Sequence, residues 1–414
     1  MLDESLKERM EAYRVLLLWQ KDGSFIKEAG LSPFAMELAL GVCRRHLYLQ
    51  FFIKGLTKKA PSMEVATVLE LGLFQMFFME VPDHAAVSTS VELAKAANLQ
   101  EGSARLVNAV LHAARRSGLP QLPPQRVRRV SIENSVPEWL VRRWFDIYGA
   151  DRAEALAKAT LARPMEWIRV NLQKVSAPVL AQKLGFTGAS ILYDRYIQVP
   201  ADAKLKTILE SDAFAKGEFG LQNPAAYLVV KLLDLKPGMK VWDACAAPGG
   251  KSALMAEMDS SLDILASDVS ESRVLKMQDL VERLALKNVR VERLDALSSD
   301  KGTKSHFDRI LLDVPCSNMG VIARRPESAY RITQESIKEL SELQFNILKA
   351  ASARLAPDGI LVYATCSPDP EETTKVINRF VKENPEFAVC GNAVYPANED
   401  SRFDGFFAQA LRKK

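Results

Sequence analysis

Two cysteines and three carboxylates carry most of the chemistry open to this sequence. Cys316 and Cys366 each stand just past an apolar run, in the settings Pro315-Cys316-Ser317 and Thr365-Cys366-Ser367. A single cysteine usually does no more than pack, and Cys43, Cys245 and Cys390 read that way. A cysteine in a polar setting beyond a strand end can instead act as a thiolate nucleophile, adding to an electron-poor carbon and later leaving it. Asp268, Asp295 and Asp313 close three successive apolar runs, "LDILASD", "VRVERLD" and "FDRILLD". One acid in such a place is often only a helix cap. Three of them, delivered to the same rim, suit a ligand that offers hydroxyl and amino groups.

The turn that must hold such a ligand is "VWDACAAPGGKS", residues 241–252. Its last letters mimic the phosphate loop of an ATPase, which needs a glycine five positions before the Gly-Lys pair. Counting back from Gly250 reaches Cys245, so a nucleoside triphosphate is not expected. What stands is a strand that breaks at Pro248-Gly249-Gly250 and enters a helix near Lys251, so that a ligand can lie against bare backbone at a helix start. In doubly wound sheets an acid about 20 residues past the glycine turn takes the ribose hydroxyls, and Asp268 lies 18 residues after Gly250. Carboxylates around the rim disfavour phosphates. S-adenosylmethionine fits, with a positive sulfonium and a nucleoside free of phosphate.

These residues need a sheet to carry them. After Pro237 the apolar runs "KVWDACA", "LDILASD", "VRVERLD", "FDRILLD" and "GILVYATC" alternate with amphipathic segments such as 270–286 and 333–355, and a last run, "GFFAQAL", follows. The alternation predicts right-handed crossovers and a parallel sheet covered on both faces, with the final strand antiparallel at or near an edge. Residues 3–117 keep apolar residues at three-four spacing, which predicts an all-helical domain. "GLPQLPPQRVRR", residues 118–129, has three prolines and no periodicity and reads as a linker. Residues 136–212 mix helices with a strand at "WIRVNLQ" and read as a small bridging subdomain. The expected class is α/β, with divisions at 1–128, 129–212 and 213–414.

Composition agrees with a chain of several cores, since 48% of the 414 residues are hydrophobic. No apolar run approaches the roughly 20 residues of a membrane span. The first 27 residues carry charges in place of a signal-peptide core, so a cytoplasmic location is expected. The five cysteines are odd in number, scattered and never spaced C-x-x-C, which argues against a disulfide framework or a zinc site. No metal is expected. A net charge of +4 is too small to prove nucleic-acid binding, but its distribution is uneven. Between Glu101 and Glu133 there is no acid, while Arg105, Arg115, Arg116, Arg126, Arg128 and Arg129 all fall there. That strip is either a solvated helix face or a set of phosphate contacts.

"DACAAPGGKS", "LLDVPCSNMG" and "VYATCSPDPEE", in this order and spacing, resemble the three main motifs of the Nol/Nop/Sun family of RNA cytosine-5 methyltransferases. "IRVNLQK" and "LQNPAAYLVVKLLDLKPG" are similar to segments that lead into that domain. "LELGLFQMFFMEVPDHAAVSTSVELAKAANLQ" and "RLVNAVL" resemble a NusB-like RNA-binding domain, and "SVPEWLVRRWFDIYG" resembles the junction. The resemblance covers essentially the whole chain and points to the bacterial members that modify small-subunit ribosomal RNA. It implies a helical NusB-like domain followed by a Rossmann-like methyltransferase domain that uses S-adenosylmethionine. It also implies a monomer that makes 5-methylcytosine before the subunit is fully assembled.

That reaction explains why cysteines are needed. Carbon 5 of cytosine is too poor a nucleophile to take a methyl group until a thiolate adds to carbon 6. The resemblance implies cofactor contacts from Ala246, Ala247, Pro248, Gly249, Gly250, Lys251, Asp268, Arg273, Asp295 and Asp313. It implies that Cys366 is the nucleophile, that Cys316 assists release, and that Asp313 and Lys251 belong to the catalytic set. Asp313 is then the carboxyl that delivers a proton near ring nitrogen 3. From the residues alone, Lys251 reads equally as a helix-start cation and Arg273 as a surface residue. Nor do the residues choose between the cysteines: both are Cys-Ser at strand ends, and DNA cytosine-5 methyltransferases use the Pro-Cys one.

The sequence also departs from the family pattern. Ser317-Asn318-Met319-Gly320 stands where Ser-Gly-Thr-Gly is usual, which bears on the base pocket. "QNPAA" at 222–226 and Arg325-Pro326-Glu327-Ser328-Ala329-Tyr330 are further departures, expected to bear on RNA contacts or target choice. An RNA-binding assembly protein with a degenerate enzyme domain would have lost a cysteine or the cofactor turn, and neither is lost. An exocyclic amino methyltransferase would show Asn/Asp-Pro-Pro-Tyr/Phe in place of Asp313-Val314-Pro315-Cys316. Transfer RNA or the large subunit stays open as a target of the same chemistry.

Overall fold

Runs rich in valine, isoleucine and leucine must pair their backbone somewhere dry, and after Pro237 they do so in one seven-stranded sheet. The computed structural model describes residues 4–298, 306–395 and 402–414. In chain order its strands are β1 (Trp167–Val170), β2 (Ile191–Leu192), β3 (Tyr196–Gln198), β4 (Phe219–Leu221), β5 (Lys240–Asp243) and β6 (Asp263–Asp268). They continue with β7 (Val289–Arg293), β8 (Phe307–Asp313), β9 (Leu355–Thr365), β10 (Phe387–Val394) and β11 (Phe407–Lys413). The large sheet has the order β10-β11-β9-β8-β5-β6-β7. β5 to β9 are parallel, and β11 lies antiparallel between β9 and β10.

The final strand is therefore one place in from the edge, as its position after the last crossover suggested. β10 is a strand the sequence reading does not include. Only its Phe387 is buried, and Gly391 interrupts it at a φ of +68°, so no two-residue alternation marks it. The chain winds outward from β5 through β6 and β7, then returns to the other side of β5 as β8. The ends of β5 and β8 thus mark the reversal of strand order, where such sheets bind ligands.

Both faces of the sheet are covered. The helices Ala225–Lys231, Gly250–Met258 and Glu271–Leu284 supply Val229, Met255 and Met277 to one core. Gln334–Ser352 and Thr374–Glu383 supply Phe345, Leu348 and Phe380 to the other, against Trp242, Tyr363 and Phe407. A separate four-stranded antiparallel sheet, β2-β3-β1-β4, carries Arg169 from β1. That guanidinium is 2% exposed and makes a two-pronged ion pair with Glu257, at 2.9 and 2.7 Å. It also donates to Gln222 Oε1 at 2.8 Å and to the carbonyl of Gly250 at 2.7 Å. The small sheet is thereby bonded to the helix that begins at the glycine turn.

By its contacts the chain divides into one unit up to Arg163 together with Ile322–Ile332, and a second made of Pro164–Val321 and Thr333–Lys414. The first holds the predicted helices, from Glu4–Asp22 to Ser103–Ser117, followed by Arg126–Asn134, Glu138–Tyr148 and Ala150–Ala159. The expected linker is shorter than its sequence suggested. No proline stands between Pro124 and Pro137, and Arg126–Arg129 already form the first turn of a helix.

The Ile322–Ile332 segment is core in that unit. Tyr330 packs edge-on against the rings of Trp19 and His46, and its hydroxyl donates to the Ser135 carbonyl at 2.9 Å. Glu327, Ser328 and Ala329 are buried beside it, so this departure from the family pattern reads as a packing change in the helical unit. Among the described residues no helix is long and apolar enough to cross a membrane.

Breaking the buried Arg169–Glu257 pair from one side leaves an uncompensated charge. Arg169→Ala is expected to cost about 3–5 kcal/mol, while Arg169→Met with Glu257→Leu should recover most of it. Urea unfolding of the two variants checks both statements.

Candidate active site

The site begins with the parallel pairing of β8 and β9, which sets Asp313 opposite Ala364. Past that register the two chains run out side by side. Cys316 and Cys366 consequently face each other with their sulfurs 2.7 Å apart, both as free thiols. The Cys366 thiol also donates to Asn318 Oδ1 at 3.0 Å.

The loop bearing Cys316 is held from behind by buried Glu372. One of its oxygens accepts from the Ser317 amide at 2.8 Å and from Gln344 Nε2 at 3.0 Å, and the other from the Ser317 hydroxyl at 2.5 Å. Gly320 closes the assembly. Its amide donates to the Cys366 carbonyl at 2.8 Å, and its carbonyl accepts from Gly405 at 2.9 Å. A Cβ there would stand 2.1 Å from the Gly405 oxygen and 2.6 Å from that of Cys366, so only glycine lets these backbones meet.

Charge reaches the sulfurs from β5 and β8. Lys251, one residue into the helix after the glycine turn, forms a 2.5 Å ion pair with Asp313. Burial is the largest single influence and disfavours the ammonium, but the charge and hydrogen bond of Asp313, joined by Asp243 and Cys366, together outweigh it and raise the Lys251 pKa, so the side chain stays cationic. Asp243, at the end of β5, is fully buried. Burial pushes its carboxyl up to about 7, against the downward pull of a 2.6 Å hydrogen bond from Ser252 and of Lys251. Its Oδ1 has no partner among the described residues. The Cys366 thiol is pushed well up by its bond to Cys316, then by burial and by the charge of Asp313, with Lys251 opposing. It is therefore a neutral thiol in the resting protein.

The glycine turn is built as its letters suggest. Gly249 takes a φ of +95° at the start of Gly250–Met258, where a side chain would meet Leu280 at 3.2 Å. Ala246 is buried, donates its amide to Ser267 and accepts from Gly249, so backbone is what it offers a ligand, while Pro248 is exposed. Asp268 uses one oxygen to accept from the Ser270 amide at 3.0 Å, and Asp295 one to accept from Leu297 at 2.9 Å. The capping role is thus real for one oxygen of each carboxylate. The other oxygen has no partner among the described residues.

Of the residues singled out by sequence, Lys251, Asp313, Cys316 and Cys366 come together. Asp268 and Asp295 follow β6 and β7 on the same rim, beside the turn from Ala246 to Gly250. Arg273 is exposed in the first turn of Glu271–Leu284, and its side chain has no partner among the described residues. Sequence reasoning missed Asp243, Glu372, Asn318 and the Arg169–Gln222 brace as supports of the site. Asp243 and Glu372 lie within quoted motifs, but only their burial shows what they do.

Comparison with known proteins follows the same lines. The model of the family described as 16S rRNA methyltransferase RsmB/F matches residues 230–411, that of the NusB family residues 8–116, and a ferredoxin-like domain of RsmF/B-like methyltransferases residues 136–196. The chain is 33% identical, over 98% of its length and 96% of the other's, to a probable ribosomal RNA small subunit methyltransferase B of Bacillus subtilis (strain 168). It is 32% identical, over 91% of its length and 90% of the other's, to the ribosomal RNA small subunit methyltransferase B of Salmonella arizonae. A solved methyltransferase homologue from Pyrococcus horikoshii superposes with a TM-score of 0.61 at 26% identity, over 71% of this chain and all of that one. The helical NusB-like domain and the Rossmann-like methyltransferase domain expected from the sequence are both borne out.

The buried Asp243 carboxyl gives stability a pH dependence. Its folded pKa, about 7, lies above the roughly 3.9 of an unfolded aspartate, so the folded state holds the proton more tightly. The contribution is fully present below pH ~4, falls as pH rises towards 7, and is flat above. At about 1.36 kcal/mol per unit, the wild type should lose on the order of 4 kcal/mol relative to Asp243→Asn between pH 4 and 8. Urea unfolding of both proteins at the two pH values measures the difference.

Proposed function

The chain belongs to the RsmB/F family of 16S ribosomal RNA methyltransferases, and we propose that it forms 5-methylcytosine in small-subunit ribosomal RNA through a covalent bond between Cys366 and the base. The observation that carries this reading is the pair of sulfurs beyond β8 and β9, beside the Lys251–Asp313 ion pair. A methyltransferase acting on nitrogen or oxygen has no use for two thiols in contact.

S-adenosylmethionine supplies an electrophilic methyl group when bound. The rim fits it: free carboxylate oxygens of Asp268 and Asp295 can take hydroxyl and amino hydrogens, and the turn Ala246-Ala247-Pro248-Gly249-Gly250 offers bare backbone. Lys251, Asp313 and Arg273 complete the proposed contacts. The Cys366 thiol passes its proton to the Lys251–Asp313 pair as its sulfur adds to ring carbon 6, which turns carbon 5 into a nucleophile. Negative charge then builds at nitrogen 3, where the Lys251–Asp313 pair can deliver a proton. Lys251 favours the thiolate by its charge. Once carbon 5 bears its methyl group, its proton passes to solvent, the nitrogen 3 proton returns to the Lys251–Asp313 pair and the Cys366 sulfur departs, which restores the ring. Cys316, in contact with that sulfur, assists the departure.

RNA contacts are assigned to the helical unit, with some arginines of the strip already engaged. Arg115 pairs with Asp83, Arg126 with Asp151 and Glu154, and Arg129 with Glu154. Arg105, Arg116 and Arg128 are exposed without an ion pair among the described residues and are the better phosphate contacts. The working unit is a cytoplasmic monomer acting before subunit assembly is complete. Its pieces 1–128, 129–212 and 213–414 are an RNA-binding domain, a bridge and the methyltransferase domain.

Two measurements test the site. With target RNA on a denaturing gel, Cys366→Ala should show neither methylation nor adduct, whereas Cys316→Ala should accumulate a protein–RNA adduct. An adduct with Cys366→Ala and none with Cys316→Ala would reverse the roles. Asp268→Ala should weaken S-adenosylmethionine binding by roughly 1–3 kcal/mol, and unchanged affinity by calorimetry would refute the ribose contact.

A further inference from the structure

The loop Ser317-Asn318-Met319-Gly320, where the chain departs from its family pattern, places a carboxamide between the two cysteines. Asn318 has a φ of +62°, a left-handed conformation that asparagine and glycine tolerate better than other residues. Its Nδ2 donates to the Cys316 carbonyl at 3.2 Å, and its Oδ1 accepts from the Cys366 thiol at 3.0 Å. A carbonyl can only accept, so the amide cannot be turned round without losing that bond. Its oxygen is therefore committed to Cys366.

This commitment has a direction. Cys366 carries one proton, and when that proton goes to Asn318 the contact between the sulfurs must be made by the proton of Cys316. The chain of donors then runs from Cys316 to Cys366 to Asn318, and two chemically identical residues acquire different positions in it. A hydrogen bond accepted from the neutral thiol also favours the thiol over the thiolate. The other groups acting on Cys366 are Cys316 and Asp313, which raise its pKa, and Lys251, which lowers it.

We propose that Asn318 is a positioning residue for Cys366: it fixes the sulfur beside Cys316 and holds its proton until the base arrives. The proposal rests on the reading of Cys366 as nucleophile, but its test does not need RNA. The rate of iodoacetamide alkylation at Cys366, identified by peptide mass, is followed against pH in full-length wild type, Asn318→Gly and Asn318→Asp. Glycine accepts the left-handed backbone and aspartate keeps the side-chain shape, so both variants should fold.

Loss of the acceptor in Asn318→Gly should move the alkylation midpoint to lower pH. A second carboxylate in Asn318→Asp should move it up by about one unit. Methylation by Asn318→Gly should lose about tenfold in kcat with KM within about twofold, the pattern of a group that acts on the chemical step. A merely structural role would lower activity without moving the midpoint. Superposable alkylation curves for all three proteins overturn the proposal. Midpoints that move as expected, in a wild type that leaves cytosine unmethylated, uphold the hold on the thiol proton and count against the functional reading instead.

Discussion

The parallel pairing of β8 with β9 is the constraint on which the site depends. Nothing in the sequence between Cys316 and Cys366 brings them together: they are 50 residues apart, joined by the Gln334–Ser352 helix. Their contact follows from one register, Asp313 against Ala364, and from what happens once hydrogen bonding between the strands stops. Both chains must turn there, and Glu372, Gly320 and Gly405 allow them to turn only together. A slip of one residue would flip each side chain to the opposite face of the sheet. The buried runs "RILLD" and "ILVYAT" make such a slip costly, so the core guards the chemistry.

A second consequence of the topology is the charge around the sulfurs. β5 is the first strand of the sheet in the chain, and β8, the central strand, returns to its side, so the glycine turn and the Asp313 strand end share one rim. Lys251 spans them. Without that cation, Asp243, Asp313 and Cys366 would all oppose one another's ionisation in a partly buried setting. With it, the resting site holds an ion pair, a thiol and a carboxyl that titrates near neutral pH. That balance disfavours ionisation of the Cys366 thiol and sets the opposing positive charge of Lys251 near it.

How much of this was legible depends on the reach of the interactions. The strands β5, β6, β8 and β9 are largely buried and appear as apolar runs, and even the edge strand β7, with only Val289 buried, keeps the spacing that places an acid at its end, so the rim carboxylates could be named from spacing alone. β10 is a half-exposed edge strand with a glycine inside it and leaves no such trace. The linker was drawn four residues too long because "RVRR" has no apolar period, although nothing in it prevents a helix. The brace of Arg169 on Glu257 joins residues 88 apart, and the Asn318 bridge depends on a backbone angle. Neither leaves a local pattern. The family pattern named the cysteines and the glycine turn, whereas the residues that hold them became visible only as buried polar side chains with satisfied partners.

The central claim is that the two strand ends present one sulfur to cytosine carbon 6 and keep the other in support. The most direct measurement uses target RNA carrying 5-fluorocytosine, in which the fluorine that replaces the carbon 5 hydrogen cannot leave as a proton and the adduct is trapped. Digestion and peptide mass analysis then show which residue carries the nucleotide. The account predicts a 5-methyl-5-fluoro adduct on the peptide containing Cys366, formed only when S-adenosylmethionine is present to methylate carbon 5. An adduct on Cys316, or methylated RNA from normal substrate with no trapped adduct from the fluorinated one, would contradict it.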